Sequence, residues 1–213
     1  MMTRFLLFRH AEAEGNAAGQ TQGRIDRQLT KYGRSQATDI EHALDPFTPV
    51  ALYSSPASRA RETAGVIEKE FGLELVVDER LHELDHGHLD GRTIEDIRQD
   101  HSDFIERWRD EDIADLRFPG GETMGEVQRR MLAVLDEIAH RHDGADVAVV
   151  SHNLALKALL AHALGIALSA ARRFELGLAS LTVVERRSGE DAELAGWSVV
   201  TLNDRCHLSE KPL

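Results

Sequence analysis

The chain has one cysteine, Cys206, so no disulfide can close within it. That suits a reducing compartment and gives no support to a thiolate metal cluster. No stretch approaches the roughly 18 apolar residues of a membrane span. The N-terminal apolar run, Phe5 to Phe8, is too short for the core of a secretion signal and leads straight into polar residues. A cytoplasmic protein is expected. Basic residues are also scarce: 25 Lys and Arg against 37 Asp and Glu leave a formal net charge of −12. Nucleic acids and anionic membrane surfaces are held by basic patches, so neither is expected as a partner. An acidic protein can still grip a small phosphate where arginines converge locally. Repeats, low-complexity tracts and interdomain linkers are absent too. A chain of 213 residues, 42% hydrophobic, then fits one domain over residues 1–213.

What the chain does contain is an alternation of strand and helix patterns. Residues 3–8 form an apolar strand, followed by a Gly- and Gln-rich loop over 15–27. Thr30 is placed to N-cap a helix with Ala37, Ile40 and Leu44 at helical spacing, which Pro46 and Pro49 end. A strand at 50–53, a helix at 58–71 stopped by Gly72, and a strand at 75–77 follow. Residues 84–121 are polar and rich in Asp, Arg and His. They carry candidate helices at 93–100 and 103–110, and read as a helical lid inserted over one end of the sheet. A long helix at 124–141, a strand at 146–151 and a helix from about 152 to 164 come next. The tail offers three strand-like pieces, at 173–176, 180–186 and 197–202. The expected fold class is α/β: a three-layer α/β/α arrangement with a mostly parallel central sheet and antiparallel strands added late.

Polar residues gather where these strands end. The first strand delivers Arg9 and His10, the second runs into Ser55 and Arg59, the third leads to Glu83, and the fourth ends at Ser151 and His152. In an open α/β sheet such ends meet over one crevice. Any one of these residues could be an ordinary solvated strand end. Together, two arginines, two histidines and a carboxylate suit phosphoryl transfer through a phosphohistidine. Arg61 rivals Arg59, and Asp85 rivals Glu83. His82, His86 and His88 invite a metal reading, but no regular ligand spacing supports it, and they are read as lid or surface histidines. Arg107, Trp108 and Arg109 are read as a lid helix face in preference to substrate contacts.

The motifs also run in a recognisable order. Arg9-His10-Ala11-Glu12 is followed by Asn16. Gly23, Asp26, Leu29, Thr30 and Gly33 come next, then Ser55, Arg59, Ala60, Thr63 and Ala64. Leu81 and Glu83 with Gly87 and Gly91, then Gly120-Gly121-Glu122-Thr123 with Arg130, and finally Ser151-His152 complete the series. The sequence resembles the histidine phosphatase superfamily, the phosphoglycerate mutase-like fold, in its phosphatase branch. The resemblance implies that His10 attacks phosphorus and is phosphorylated, while Arg9, Arg59 and His152 surround the phosphoryl oxygens. It implies that Asn16 adds a hydrogen bond, and Asn153 is a further candidate phosphate contact. Glu83 is implied as the general acid, then base, a role that calls for a raised carboxyl pKa. No metal and no cofactor are expected.

Two positions depart from the family pattern. Ala11 and Asn153 stand where glycine is usual. An alanine forced to positive φ would cost roughly 1–2 kcal/mol, so backbone adjustment is expected there. The glycolytic mutases carry a basic, proline-bearing insertion that has no counterpart between Glu70 and Leu81. The expected activity is therefore a phosphoric monoester hydrolase of the histidine acid phosphatase type, acting without metal on a small phosphorylated metabolite. Mutase-type transfer, a protein phosphohistidine phosphatase and a non-catalytic phosphate-binding regulator remain alternatives. A homodimer is a candidate assembly that the sequence leaves open.

Overall fold

The computed structural model describes residues 1–110, 112–187 and 196–209. Its centre is β1 (Met2–Arg9), whose side chains alternate between two cores. Phe5 and Leu7 face one hydrophobic cluster, Leu6 and Phe8 the other, and all four are fully buried. A strand buried on both faces reads as a continuous apolar run, as this one does. The six-stranded sheet adds β2 (Pro49–Ser54), β3 (Leu75–Val77), β4 (Asp146–Ser151), β5 (Leu181–Arg187) and β6 (Gly196–Asp204), in the order β3-β2-β4-β1-β5-β6. The β1–β4, β2–β4 and β2–β3 pairs are parallel, whereas β5 runs antiparallel to both β1 and β6. The α/β class and mostly parallel sheet expected from the sequence are therefore what the chain adopts.

Helices cover both faces. Ile40 of α2 (Lys31–Ala43, after a short α1 at Glu14–Ala17) and Ile67 of α3 (Ser58–Phe71) pack with Leu6 and Phe8. On the opposite face, α6 (Met124–Arg141) and α7 (Asn153–Ala163) pack with Phe5 and Leu7 through residues such as Val134 and Leu159. The segment between β3 and α6 carries α4 (Ile94–Asp100) and α5 (Ser102–Asp110).

The helix starts follow from side-chain chemistry. Thr30 accepts the Gly33 N–H at 2.9 Å, and Thr123 caps α6 with Glu126 closing a capping box. α3 has no cap of its own. Asp26, from the loop before α2, accepts the Ser58 N–H and Oγ–H at 2.8 and 2.6 Å instead. This explains why Asp26 belongs to the motif series although it sits far from α3 in sequence.

Two expectations need correction. Residues 173–176 are not a strand: a 3-10 turn covers Leu168–Arg173, and irregular chain follows. Both neighbours of β5 in the sheet are already taken by β1 and β6, and the Leu176 carbonyl is used by the Arg9 side chain. Nor does Ala11 adopt positive φ. Among described non-glycine residues only Ala179 and Asn203 do, so neither Ala11 nor Asn153 carries the anticipated strain.

Gly33 shows what the conserved-looking spacing demands physically. A Cβ there would lie 2.0 Å from the Glu12 carbonyl oxygen, because the start of α2 presses directly on the strand-to-α1 segment. Gly33→Ala is expected to destabilise the fold by roughly 1–3 kcal/mol through overpacking. Urea unfolding checks this, and an unchanged midpoint would contradict it.

Candidate active site

The parallel register sets strand ends side by side. Arg9 is level with Ser151 across β1–β4, and Ser54 is level with Val150 across β2–β4. The residues that follow, His10, Ser55 and His152, thus converge at one edge of the sheet. The His10 and His152 rings lie 5.1 Å apart, centroid to centroid. A cavity of about 430 Å³ opens over them, lined at its sheet end by Arg9, His10, Asn16, Glu83 and Asn153. Arg59 and His152 are not part of its lining; both are fully buried behind it.

His10 is held in one tautomer. Its Nδ1 lies 2.7 Å from the Ala11 carbonyl oxygen, which can only accept, so the proton resides on Nδ1 and Nε2 keeps its lone pair. Burial, then the charges of Arg59 and Arg9, push the His10 pKa well below the usual 6.5. His152 is depressed in the same way, by burial and then Arg59. Its Nε2 lies 2.7 Å from Ser55 Oγ, which already accepts the Ala57 N–H. The His152 Nδ1 is buried with no partner in the protein.

The two arginines are fixed by backbone carbonyls. Arg9 Nη1 donates to Leu176 O at 2.5 Å. Arg59 Nη1 donates to Ile25 O, and its Nη2 to Gln22 O and Gly23 O. Both keep a buried Nε–H without a protein acceptor. Burial lowers the pKa of each, and the negative charge of Glu83 opposes that shift. The loop that holds Arg59 is itself held from the other side. Asp90 accepts the backbone N–H groups of Gly23, Arg24 and Ile25 at 2.6–2.7 Å.

Glu83 is buried, its carboxylate oriented by three backbone donors: Leu84 and Ala155 at Oε1 and Leu154 at Oε2. Two of these come from the first turn of α7, where the helix dipole favours a carboxylate. Arg130 fixes the surrounding chain by donating to the carbonyls of Arg80, His82 and Glu83 while paired with Glu122. Asp85, the rival carboxylate, instead accepts from Gly87 N and is a third exposed. Arg61 is exposed, in contrast to Arg59. Asn16 accepts the Ala13 N–H through Oδ1, which leaves its amide N–H₂ for the cavity it lines.

Several cavity residues lay outside the expected set. Gln22 is buried with neither amide atom paired, and lines the cavity. His86 is buried against Phe118 and also lines it, whereas His82 stacks on His152. Of that cluster only His88 is the exposed histidine anticipated. Trp108 and Arg109, read as part of a lid helix face, also line the cavity; Arg107 and Arg109 are exposed and Trp108 is half-buried. The spacing of Phe104, Ile105, Trp108 and Arg109 on one helix was the available signal. Among the described residues no cluster of three or more His, Cys, Asp or Glu side chains is placed to hold a metal ion. No helix among them is long and apolar enough to cross a membrane.

Two arginines and two histidines thus gather at the strand ends of a mostly parallel sheet, where open α/β folds place their ligand sites. A family model described as the histidine phosphatase superfamily, branch 1, matches residues 5–204, and the chain belongs to that superfamily. It is similar to phosphoserine phosphatase 1 of Hydrogenobacter thermophilus, with 32% identity covering 98% of this chain and 96% of that one. It is also similar to a probable phosphoglycerate mutase, GpmB, of Yersinia enterocolitica, at 36% identity over 97% and 95%. Among solved structures, a mycobacterial glucosyl-3-phosphoglycerate phosphatase superposes with a TM-score of 0.84 at 27% identity, covering 96% of this chain and all of that one.

The buried histidines have a consequence for stability. His10, His82 and His152 have folded-state pKa values below 6.5, with His82 pushed down to about 4 by burial and then Arg24. The unfolded chain then binds more protons wherever unfolded histidines titrate, so stability falls as pH falls. The contribution is complete above about pH 6.5 and declines below it. Urea unfolding free energies are expected to drop steadily from pH 7.5 to 5.5, and a flat profile over that window would contradict the assignment.

Proposed function

We propose that this chain is a metal-independent phosphomonoesterase acting on an organic phosphate through a phosphohistidine on His10. The observation that carries this reading is the His10 tautomer: Nδ1–H is bound to the Ala11 carbonyl, and Nε2 is left unprotonated in a cavity flanked by arginine. Such a nitrogen is a nucleophile ready without prior proton removal.

In the proposed cycle the His10 Nε2 lone pair attacks phosphorus while the phosphorus–oxygen ester bond breaks. Glu83 gives its proton to the departing alkoxide. Arg9, with Asn16 and Asn153 beside it in the cavity lining, meets the charge on the phosphoryl oxygens, and the enclosed Arg59 and His152 support it from beneath. Water then loses a proton to Glu83 and attacks phosphorus, the phosphorus–nitrogen bond breaks, and inorganic phosphate and neutral His10 are released. Relatives named as phosphatases support hydrolysis. The relative named as a probable mutase keeps transfer between two positions of a phosphoglycerate as the competing outcome.

The test is turnover of p-nitrophenyl phosphate in EDTA, with phosphoglycerate interconversion measured in parallel. Metal-independent hydrolysis is expected to dominate; its absence, or a faster mutase reaction, would overturn the reading. His10→Ala should abolish both turnover and the acid-labile phosphoenzyme. Glu83→Gln should slow alkyl phosphate hydrolysis by about 10²–10⁴-fold. With p-nitrophenyl phosphate the first step should be spared, because p-nitrophenolate leaves without a proton, so a burst of p-nitrophenol should precede slow turnover while water still lacks its base.

A further inference from the structure

The cavity has two chemically different ends. Its sheet end carries Arg9, His10 and the side-chain amides. Its outer wall comes from α4, α5 and the chain before α6, and is built around Phe104, Trp108 and Phe118. These three rings pack on one another, with centroids 4.8 Å apart for Phe104–Phe118, 5.2 Å for Trp108–Phe118 and 6.2 Å for Phe104–Trp108. Leu89 and Ile97 continue the apolar surface, both buried yet lining the cavity. Arg172 Nη1 donates to the Trp108 carbonyl, tying α5 to the turn before β5. The wall is thus a packed aromatic surface and part of the molecule's core.

A phosphoryl group seated at His10 places the rest of its ester against this wall. Against the three rings themselves, a carboxylate or sugar hydroxyl would lose hydration without matching partners. The wall carries two cations, Arg98 and Arg109, both exposed at the solvent side, and Arg98 lies 3.9 Å from Glu95. We propose that the cavity selects phosphate monoesters of hydrophobic alcohols, with the alkyl or aryl group lodged on the Phe104–Trp108–Phe118 wall. This rests on the phosphomonoesterase reading for the fate of the ligand, but not for its binding.

The test separates the two. Calorimetric binding of ethyl-, butyl- and hexylphosphonate to the intact protein needs no turnover, since the phosphorus–carbon bond is not hydrolysed. Each methylene taken fully from water adds up to about fourfold in affinity, so hexylphosphonate is expected to bind at least about tenfold tighter than ethylphosphonate. The matching alkyl phosphates, alike in leaving group, should show the same rise in kcat/KM and exceed O-phosphoserine and 3-phosphoglycerate. Phe104→Ala should flatten the hexyl-to-ethyl ratio. So should Ile94→Asp, at a half-exposed position on the cavity wall where a polar side chain does not threaten folding. Chain-length-independent binding, or a preference for O-phosphoserine over hexyl phosphate, would overturn the proposal. Rising affinity without hydrolysis of any ester would leave it standing and sink the enzymatic reading instead.

Discussion

The buried Arg59 guanidinium is the constraint around which the site is organised. It is wholly enclosed, and it satisfies two of its nitrogens with the carbonyls of Gln22, Gly23 and Ile25. The peptide units of the Gln22 and Gly23 carbonyls turn their N–H groups to Asp90 on the opposite side, which also accepts the Ile25 N–H, so a single loop lies between a cation and an anion. Burying either charge alone would be costly; with the loop's dipoles aligned between them, each side compensates the other. That loop also presents Gln22 to the cavity and Asp26 to the start of α3. The position of Arg59, the opening of α3 and one flank of the cavity are therefore set together.

A second layer of organisation fixes Glu83. Arg130 binds the carbonyls of Arg80, His82 and Glu83, and the first turn of α7 supplies two N–H groups to the Glu83 oxygens. His152, the residue before that turn, faces His10. The first turn of α7 thus sets the distance between the candidate proton donor and the candidate nucleophile. A shift of this helix would move both groups against His10 at once, which couples the packing of α7 on the sheet to the chemistry.

Much of this was legible in the sequence because strand ends are marked by abrupt changes of character. Apolar runs stop at Arg9, Ser54 and Ser151, and parallel pairing does the rest. Register within the motifs separated Arg59 from Arg61 and Glu83 from Asp85, and burial follows the same division. What the sequence could not show was which face of a short helix meets the cavity. Trp108 and Arg107 are neighbours, yet one lines the cavity and the other faces outward, because the tilt of α5 depends on contacts far away in sequence, such as Arg172. The same holds for residues 173–176, whose β-like composition loses to a topology with no free strand edge beside β5. Gln22 escaped notice, and His86 was read only as a lid or surface histidine, because a polar residue in a loop gains meaning only once it is seen to be buried.

The aromatic wall and the sheet-end cluster come from different parts of the chain. α4 and α5 contribute no side chain to the group of arginines and histidines, and the strand ends contribute none of the wall's rings. A fold divided in this way can change what it accepts without disturbing what it does to it. Substitutions on two short helices would retune selectivity while the backbone-fixed centre, dependent on close glycine contacts and buried charge, resists alteration. Divergence among proteins that share this sheet is then expected to accumulate over residues 93–110, making that stretch the natural place to graft one ligand preference onto another scaffold.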